Sequence, residues 1–227
     1  MSLVYFKNVS KSYNGSLILD NVTFTVETGG FVSIVGRSGV GKTTLLRMLI
    51  HEELSTKGKI YFNDKEINKL KPQEVSLLRR KIGVVFQDFK LLPNKTAFEN
   101  VAFAMEVAGY SEEAIKKDVP EVLKLVNLQN KADNFPYQLS AGEKQRTVIA
   151  RALIQRPELI LADEPTGNLD PINSWDIIKL LVKINELGTA VILASHDKEI
   201  INTLNKRVIS LEDGKIIRDE QEGKYLI

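Results

Sequence analysis

Cysteine is absent from the 227 residues and histidine occurs only twice, which excludes disulfides, thiolate metal sites and histidine-rich metal centres. Charge of one sign is also missing: 31 basic residues face 29 acidic ones, so no electrostatic footprint for nucleic acid stands out. Within that balance Arg79-Arg80-Lys81 reads as a solvated helix end. No apolar run approaches the ~18 residues that a spanning helix requires, and no basic and apolar leader is read at the N-terminus. The expectation is a cytoplasmic protein whose membrane role, if any, is borrowed from a partner. The length suits one large domain, residues 1–227, and no repeat, low-complexity tract or linker divides it.

What is present centres on Gly36-Arg37-Ser38-Gly39-Val40-Gly41-Lys42-Thr43. Glycines at this spacing let backbone N–H groups curl round an anion; Lys42 adds a point charge for the outer phosphates and Thr43 a hydroxyl for Mg²⁺. Before it, Phe31 to Val35 is an apolar run suited to a buried strand. After it, Thr44 opens a helical stretch to Ile50, so phosphates would meet a helix N-terminus. A glycine-rich turn is the plain alternative, and the flanking strand and helix weigh against it.

Upstream, Val4 to Val9, Leu17 to Leu19 and Val22 to Val26 alternate as antiparallel strands with turn signals at Asn14-Gly15 and Gly29-Gly30. Lys59 to Asn63 adds another, and Ile82 to Phe86 returns to the buried type. From Phe98 to about Val126 the period is helical, with Pro120 expected at a helix start or a kink. This predicts a helical insert at about 95–155. Strands at Leu159 to Ala162, Ala190 to Ala194 and Val208 to Leu211 then alternate with a helix at Trp175 to Asn185. The fold class is therefore α/β with a mostly parallel sheet, an N-terminal antiparallel β subdomain and a helical subdomain.

Further candidate residues lie at strand ends. Leu159 to Ala162 runs into Asp163 and Glu164; a bend there would aim both carboxylates at a ligand, Asp163 for Mg²⁺ and Glu164 for the attacking water. A strand followed by a polar turn is the alternative. Ser140 and Glu143 form a capping box; whether Ser140 also meets a phosphate stays open on these residues alone. His196 follows the apolar strand ending at Ser195, where it is either structural or within reach of a γ-phosphate or the attacking water. Gln87 ends another strand, Tyr13 offers a face to a base, and His51 is expected on an exposed helix face. Asn130-Lys131-Ala132-Asp133 matches a guanine-reading motif but does not follow a buried strand, and is read as a polar loop.

In their order, Tyr13, the loop at 36–43, Gln87, Leu139-Ser140-Ala141-Gly142-Glu143-Lys144-Gln145-Arg146, Leu159 to Asp170 and Ala194-Ser195-His196-Asp197 resemble the nucleotide-binding subunit of ATP-binding cassette (ABC) proteins. The resemblance covers almost the whole chain. It implies an ATPase of the P-loop NTPase type: Tyr13 stacks on adenine, Gln87 touches Mg²⁺ and senses a membrane partner, Asp163 organises Mg²⁺, Glu164 is the catalytic carboxylate and His196 the γ-phosphate sensor. Ser140 and Gly142 resemble signature residues that bind the ATP held by a second subunit, and Asp170 the residue that crosses that interface. A homodimer sandwiching two ATPs is implied.

Phe86 to Leu92, Glu99 to Ala104 and Ala162 to Asp170 narrow the resemblance to the family's cell-division branch. That implies an integral membrane partner docking near Gln87 to Leu92, control of cell-wall hydrolases, and a place at the inner face of the membrane at the division site. The last string is shared with lipoprotein-release and macrolide-export ATPases, so such a transporter is the first alternative. A nucleotide-switched scaffold with slow hydrolysis is the second. Soluble cassette proteins of DNA repair or the ribosome need more chain than 227 residues provide. One departure bears on turnover: Ala141 and Glu143 replace the usual glycine and glutamine. Ala141 costs about 1 kcal/mol if its φ is positive, and Glu143 brings a negative charge towards a phosphate.

Overall fold

The computed structural model describes residues 2–225. In chain order the elements are β1 (Ser2–Tyr13), β2 (Ser16–Glu27), β3 (Phe31–Val35), α1 (Lys42–Leu49), β4 (Lys57–Phe62), β5 (Lys65–Glu66), α2 (Pro72–Arg80) and β6 (Ile82–Phe86). They continue with α3 (Ala97–Ala108), α4 (Glu112–Leu125), α5 (Ala141–Leu153), β7 (Leu159–Asp163), α6 (Pro171–Glu186), β8 (Ala190–Ser195), α7 (Lys198–Leu204), β9 (Arg207–Glu212) and β10 (Lys215–Glu220). Two compact units result, Met1–Arg79 with Asn185–Ile227, and Arg80–Ile184.

In the first unit, β1 pairs antiparallel with both β2 and β4. Three hairpins close on two residues with positive φ, Asn14-Gly15, Asn63-Asp64 and Asp213-Gly214, the twist that two-residue turns require. The runs at Leu17 and Val22 belong to one strand, β2; register irregularities accompany Asn8 and Asn21, whose φ values of 51° and 53° let the chain bulge without breaking the pairing. Alternation packs Phe6 on Phe24, ring centroids 4.6 Å apart. Tyr13 is the last residue of β1, opposite Ser16.

All five residues of β3 are buried, and it lies parallel to both β8 and β9. A strand covered on both faces needs no polar alternation, hence the continuous apolar run. The register Val35↔Ser195 brings the C-terminal ends of β3 and β8 side by side. His51 is not on an exposed helix face: it lies past the end of α1 at φ 54°, half-buried, with Nε2 shielded from solvent. Arg79 explains the position. Its guanidinium donates to the Ile50 carbonyl at 2.9 Å and the His51 carbonyl at 3.3 Å, capping the C-terminus of α1.

In the second unit, β6 and β7 pair in parallel with Phe86 opposite Asp163. Capping boxes start α3, at Thr96 and Glu99, and α5, at Ser140 and Glu143. Pro120 lies inside α4 and does not begin it. Helix continuation costs the bond to the Lys116 carbonyl, but Ile115, Val119 and Leu123 form one buried stripe on both sides of the proline, and their burial holds the helix together. Asn100 is fully buried, and its amide accepts from Leu92 N and donates to the carbonyls of Leu92, Lys95 and Thr96. Asn100→Ala leaves these groups without their partner, so unfolding stability should drop by about 2–3 kcal/mol. Urea titration should show a lower midpoint with an unchanged slope.

Candidate functional site

Within the first unit, β3 delivers the chain into the glycine loop and α1 carries it away. Gly39 and Gly41 take φ values of 81° and 107°, conformations that side chains resist and that allow a loop to curl its N–H groups round an anion. Gly41 is the N-cap of α1 and supplies no side-chain cap, so the amides of the first turn keep their capacity for an anion. Lys42 is 6% exposed, and its ammonium lies in the curl of the loop, donating to the carbonyls of Gly36 at 2.8 Å and Arg37 at 3.2 Å. The arrangement is a positive, donor-rich cradle of the kind a triphosphate needs. Thr43 and Thr44 occupy the first turn and are half-buried.

His196 is exposed just past the end of β8, on the same strand-end face from which the loop leaves β3. Buried Ser195 accepts from the Asp197 amide at 3.1 Å, and Asp197 caps α7 through the amides of Glu199 and Ile200. The histidine is thereby fixed between two anchored neighbours. A cavity of about 490 Å³ flanks the rim of the loop, lined by Leu17, Arg37, Ser38, Leu211 and Asp213 among others. It takes in neither Lys42 nor Thr43 nor Tyr13, so it is not the cradle.

Within the second unit, β7 ends on Asp163, which is 7% exposed. Glu164 follows with φ 48°, a left-handed conformation immediately before Pro165 that costs of order 1–3 kcal/mol. This is the bend that turns the second carboxylate away from strand alternation. Gln87 is exposed one residue past β6, beside that bend in register. The loop after Glu164 grips it: Asn168 donates to the Gln87 carbonyl at 3.1 Å, and a Cβ on Gly167 would stand 2.8 Å from the Gln87 amide nitrogen.

The signature stretch has its own frame. Ala141 is the first residue of α5 and is not among the residues with positive φ, so alanine carries no strain there. Glu143 turns back, accepting from Ser140 N at 2.8 Å, while its own amide donates to Ser140 Oγ at 3.2 Å. The Ser140 backbone bond, then its hydroxyl and Lys131 at 3.4 Å, hold the Glu143 carboxyl below its usual range. Gly142 packs closely on Asn173, whose side chain would have to shift to admit a Cβ there. Asn173 in turn binds both carboxylate oxygens of Asp170, and its backbone bond is the main reason that the Asp170 pKa is lowered. Ser140 is thus held by Glu143 and Asp170 by Asn173, and Gly142 lies against the Asn173 side chain. With Glu143 already committed as a cap and paired to Lys131, Ala141→Gly combined with Glu143→Gln should leave steady-state ATP turnover within about twofold of the parent.

Two residues that periodicity and motif gave no reason to choose also belong here. Arg151, near the C-terminal end of α5, donates to the carbonyls of Lys90 at 2.9 Å and Phe89 at 3.3 Å; burial pushes its pKa down. Lys11 lies over the ring of Tyr13. As for a metal, the Thr43 hydroxyl, the Asp163 carboxylate and the Gln87 amide are oxygen donors of the type that suits Mg²⁺, which takes one or two carboxylates and completes its shell with phosphate and water. Thr43 in the first unit, and Asp163 and Gln87 in the second, each offer an oxygen of the kind that ion takes.

A family profile described as ABC transporter matches residues 19–167. The chain is 53% identical over 224 residues to the cell division ATP-binding protein FtsE of Bacillus subtilis strain 168, covering 98% of both chains. To FtsE of Escherichia coli K12 it is 43% identical over 215 residues, or 94% of this chain and 97% of the relative. Among solved structures it is similar to the post-hydrolysis dimer of the ATP-binding cassette MJ0796 bound to ADP and Pi, with a TM-score of 0.87 and 38% identity, covering 98% of this chain and all of that one.

Proposed function

The chain belongs to the ABC transporter family and is one of its ATP-hydrolysing cassettes, and we propose that it serves cell division. In this reading it works as an FtsE-type subunit that dimerises on two Mg-ATP and moves an FtsX-like membrane partner controlling cell-wall hydrolases. The observation that carries the division role is the match to FtsE over almost the full length of both chains. Residues 1–227 act as one nucleotide-binding domain with a helical part at about 95–155, peripheral at the inner face of the membrane. Among the described residues no helix is long and apolar enough to cross a membrane.

Catalysis in this reading is positioning and charge neutralisation. Lys42 and the loop amides hold the phosphates, Tyr13 stacks on the base, Glu164 takes the proton of the attacking water and His196 fixes the γ-phosphate. Thr43, Asp163 and Gln87 would hold Mg²⁺, which would neutralise charge on the phosphate oxygens. Ser140 and Gly142 receive the nucleotide of the second subunit, Asp170 crosses to it, and the partner docks near Gln87 to Leu92.

The test is the position of a fluorescently tagged copy at native expression in dividing cells. A band at the division site is expected. An even envelope signal would overturn the division role in favour of a transporter ATPase for lipoproteins or small molecules.

A further inference from the structure

We propose that Lys11 and Glu53 form a clamp that fixes the Tyr13 ring for base stacking, and so act as positioning residues for nucleotide binding. The inference rests on the reading of Tyr13 as the base-stacking residue. Lys11 and Tyr13 are two apart on β1 and share one face of the strand. The Lys11 ammonium sits over the Tyr13 ring, 4.6 Å from its centroid. One ring face is therefore occupied from within the protein, while the residue is 37% exposed and keeps surface for a ligand.

The ammonium is itself held in place. It donates to Glu53 Oε2 at 2.7 Å and to the Leu54 carbonyl at 2.8 Å, and Lys11 is only 9% exposed. The Glu53 carboxyl is kept below its usual range, first by the hydrogen bond from Lys11; the Tyr13 hydroxyl and Arg47 act in the same direction. Glu53 thus engages the cation under the ring and the polar tip of the ring together.

The clamp is also tied to the phosphate cradle. Glu53 and Leu54 lie on the connector that leaves α1, whose N-terminus carries Lys42. That connector is stitched to β1 by Ser12 N to Thr56 Oγ1 at 3.0 Å and Thr56 N to the Ser10 carbonyl at 2.8 Å. Its start is joined to α1 by the Glu52 amide on the Arg47 carbonyl at 2.9 Å. The two ends of a nucleotide would be indexed to one piece of structure, phosphates at the start of α1 and base at the segment anchored to its end. Fixing the ring beforehand removes an ordering cost from binding.

Affinities for Mg-ATP and for inorganic tripolyphosphate, which has phosphates and no base, separate the possibilities. Lys11→Ala should raise the Kd for ATP about three- to tenfold, match Tyr13→Ala in direction, and leave tripolyphosphate affinity unchanged. Glu53→Gln should weaken ATP by less, and Lys11→Arg, which keeps a cation over the ring, should restore most of the affinity. If Tyr13→Ala weakens ATP but Lys11→Ala does not, the clamp is overturned while base stacking stands. Equal loss of ATP and tripolyphosphate affinity in Lys11→Ala would overturn it as well, because the damage would then reach the phosphate loop. If Tyr13→Ala leaves ATP affinity intact, the stacking reading falls and the clamp with it.

Discussion

Glu164→Gln is expected to lower steady-state ATP hydrolysis by about 10²- to 10⁴-fold while leaving ATP affinity within a few fold, the range over which a positioned general base acts. The substitution keeps shape and polarity but removes the proposed proton acceptor. Glu164 pays for its place with a left-handed backbone immediately before Pro165, a conformation that a purely structural turn has no reason to fill with glutamate. Because the nucleotide persists, the ATP-bound dimer should accumulate. Single-turnover hydrolysis and sedimentation of the ATP-loaded variant measure the two effects separately. A variant that stays monomeric at micromolar concentration would sink the two-ATP dimer. If the variant still supports division, a nucleotide-switched scaffold replaces the mechanical cycle.

Lys42→Ala should have the second largest effect, raising the Kd for Mg-ATP by about 10²- to 10³-fold, as expected for loss of charge-assisted bonds totalling about 3–4 kcal/mol. The side chain is nearly buried, and its two carbonyl partners in Gly36 and Arg37 are left facing the site once it is removed. Replacement therefore subtracts a positive charge and exposes two negative dipoles to the phosphates. Calorimetric titration with Mg-ATP reads the change directly. An affinity within threefold of the parent would mean that the loop amides alone hold the phosphates.

The parts of this structure legible in the sequence are those governed by short-range chemistry. The phosphate loop, the turn at Asn14-Gly15, the buried strand at Phe31 to Val35 and the capping box at Ser140 and Glu143 each follow from neighbouring residues, and each is present. What escaped depends on distant partners. Nothing near His51 in sequence announces that Arg79 caps the helix beside it. Pro120 looks like a break because its own cost is visible, whereas the buried stripe that outweighs it emerges only in the fold. Lys11 and Glu53 are forty-two positions apart, and only the folded connector makes them a pair. For the site, residue types, their order and a bend after Asp163 were legible, while the left-handed φ of Glu164 and the close approach of Asn173 to Gly142 were not.

Helix α5 has the build of a stiff rod with a fitting at each end. Its thirteen residues span about 20 Å. Ser140 and Gly142 stand at one tip, and near the other Arg151 is pinned to the backbone of Phe89 and Lys90. A push on that backbone segment would then not be absorbed where it lands. With a partner docked there as proposed, it would be carried along a hydrogen-bonded shaft to Ser140 and Gly142, so that docking and the geometry of those two residues would be two readings of a single rigid motion.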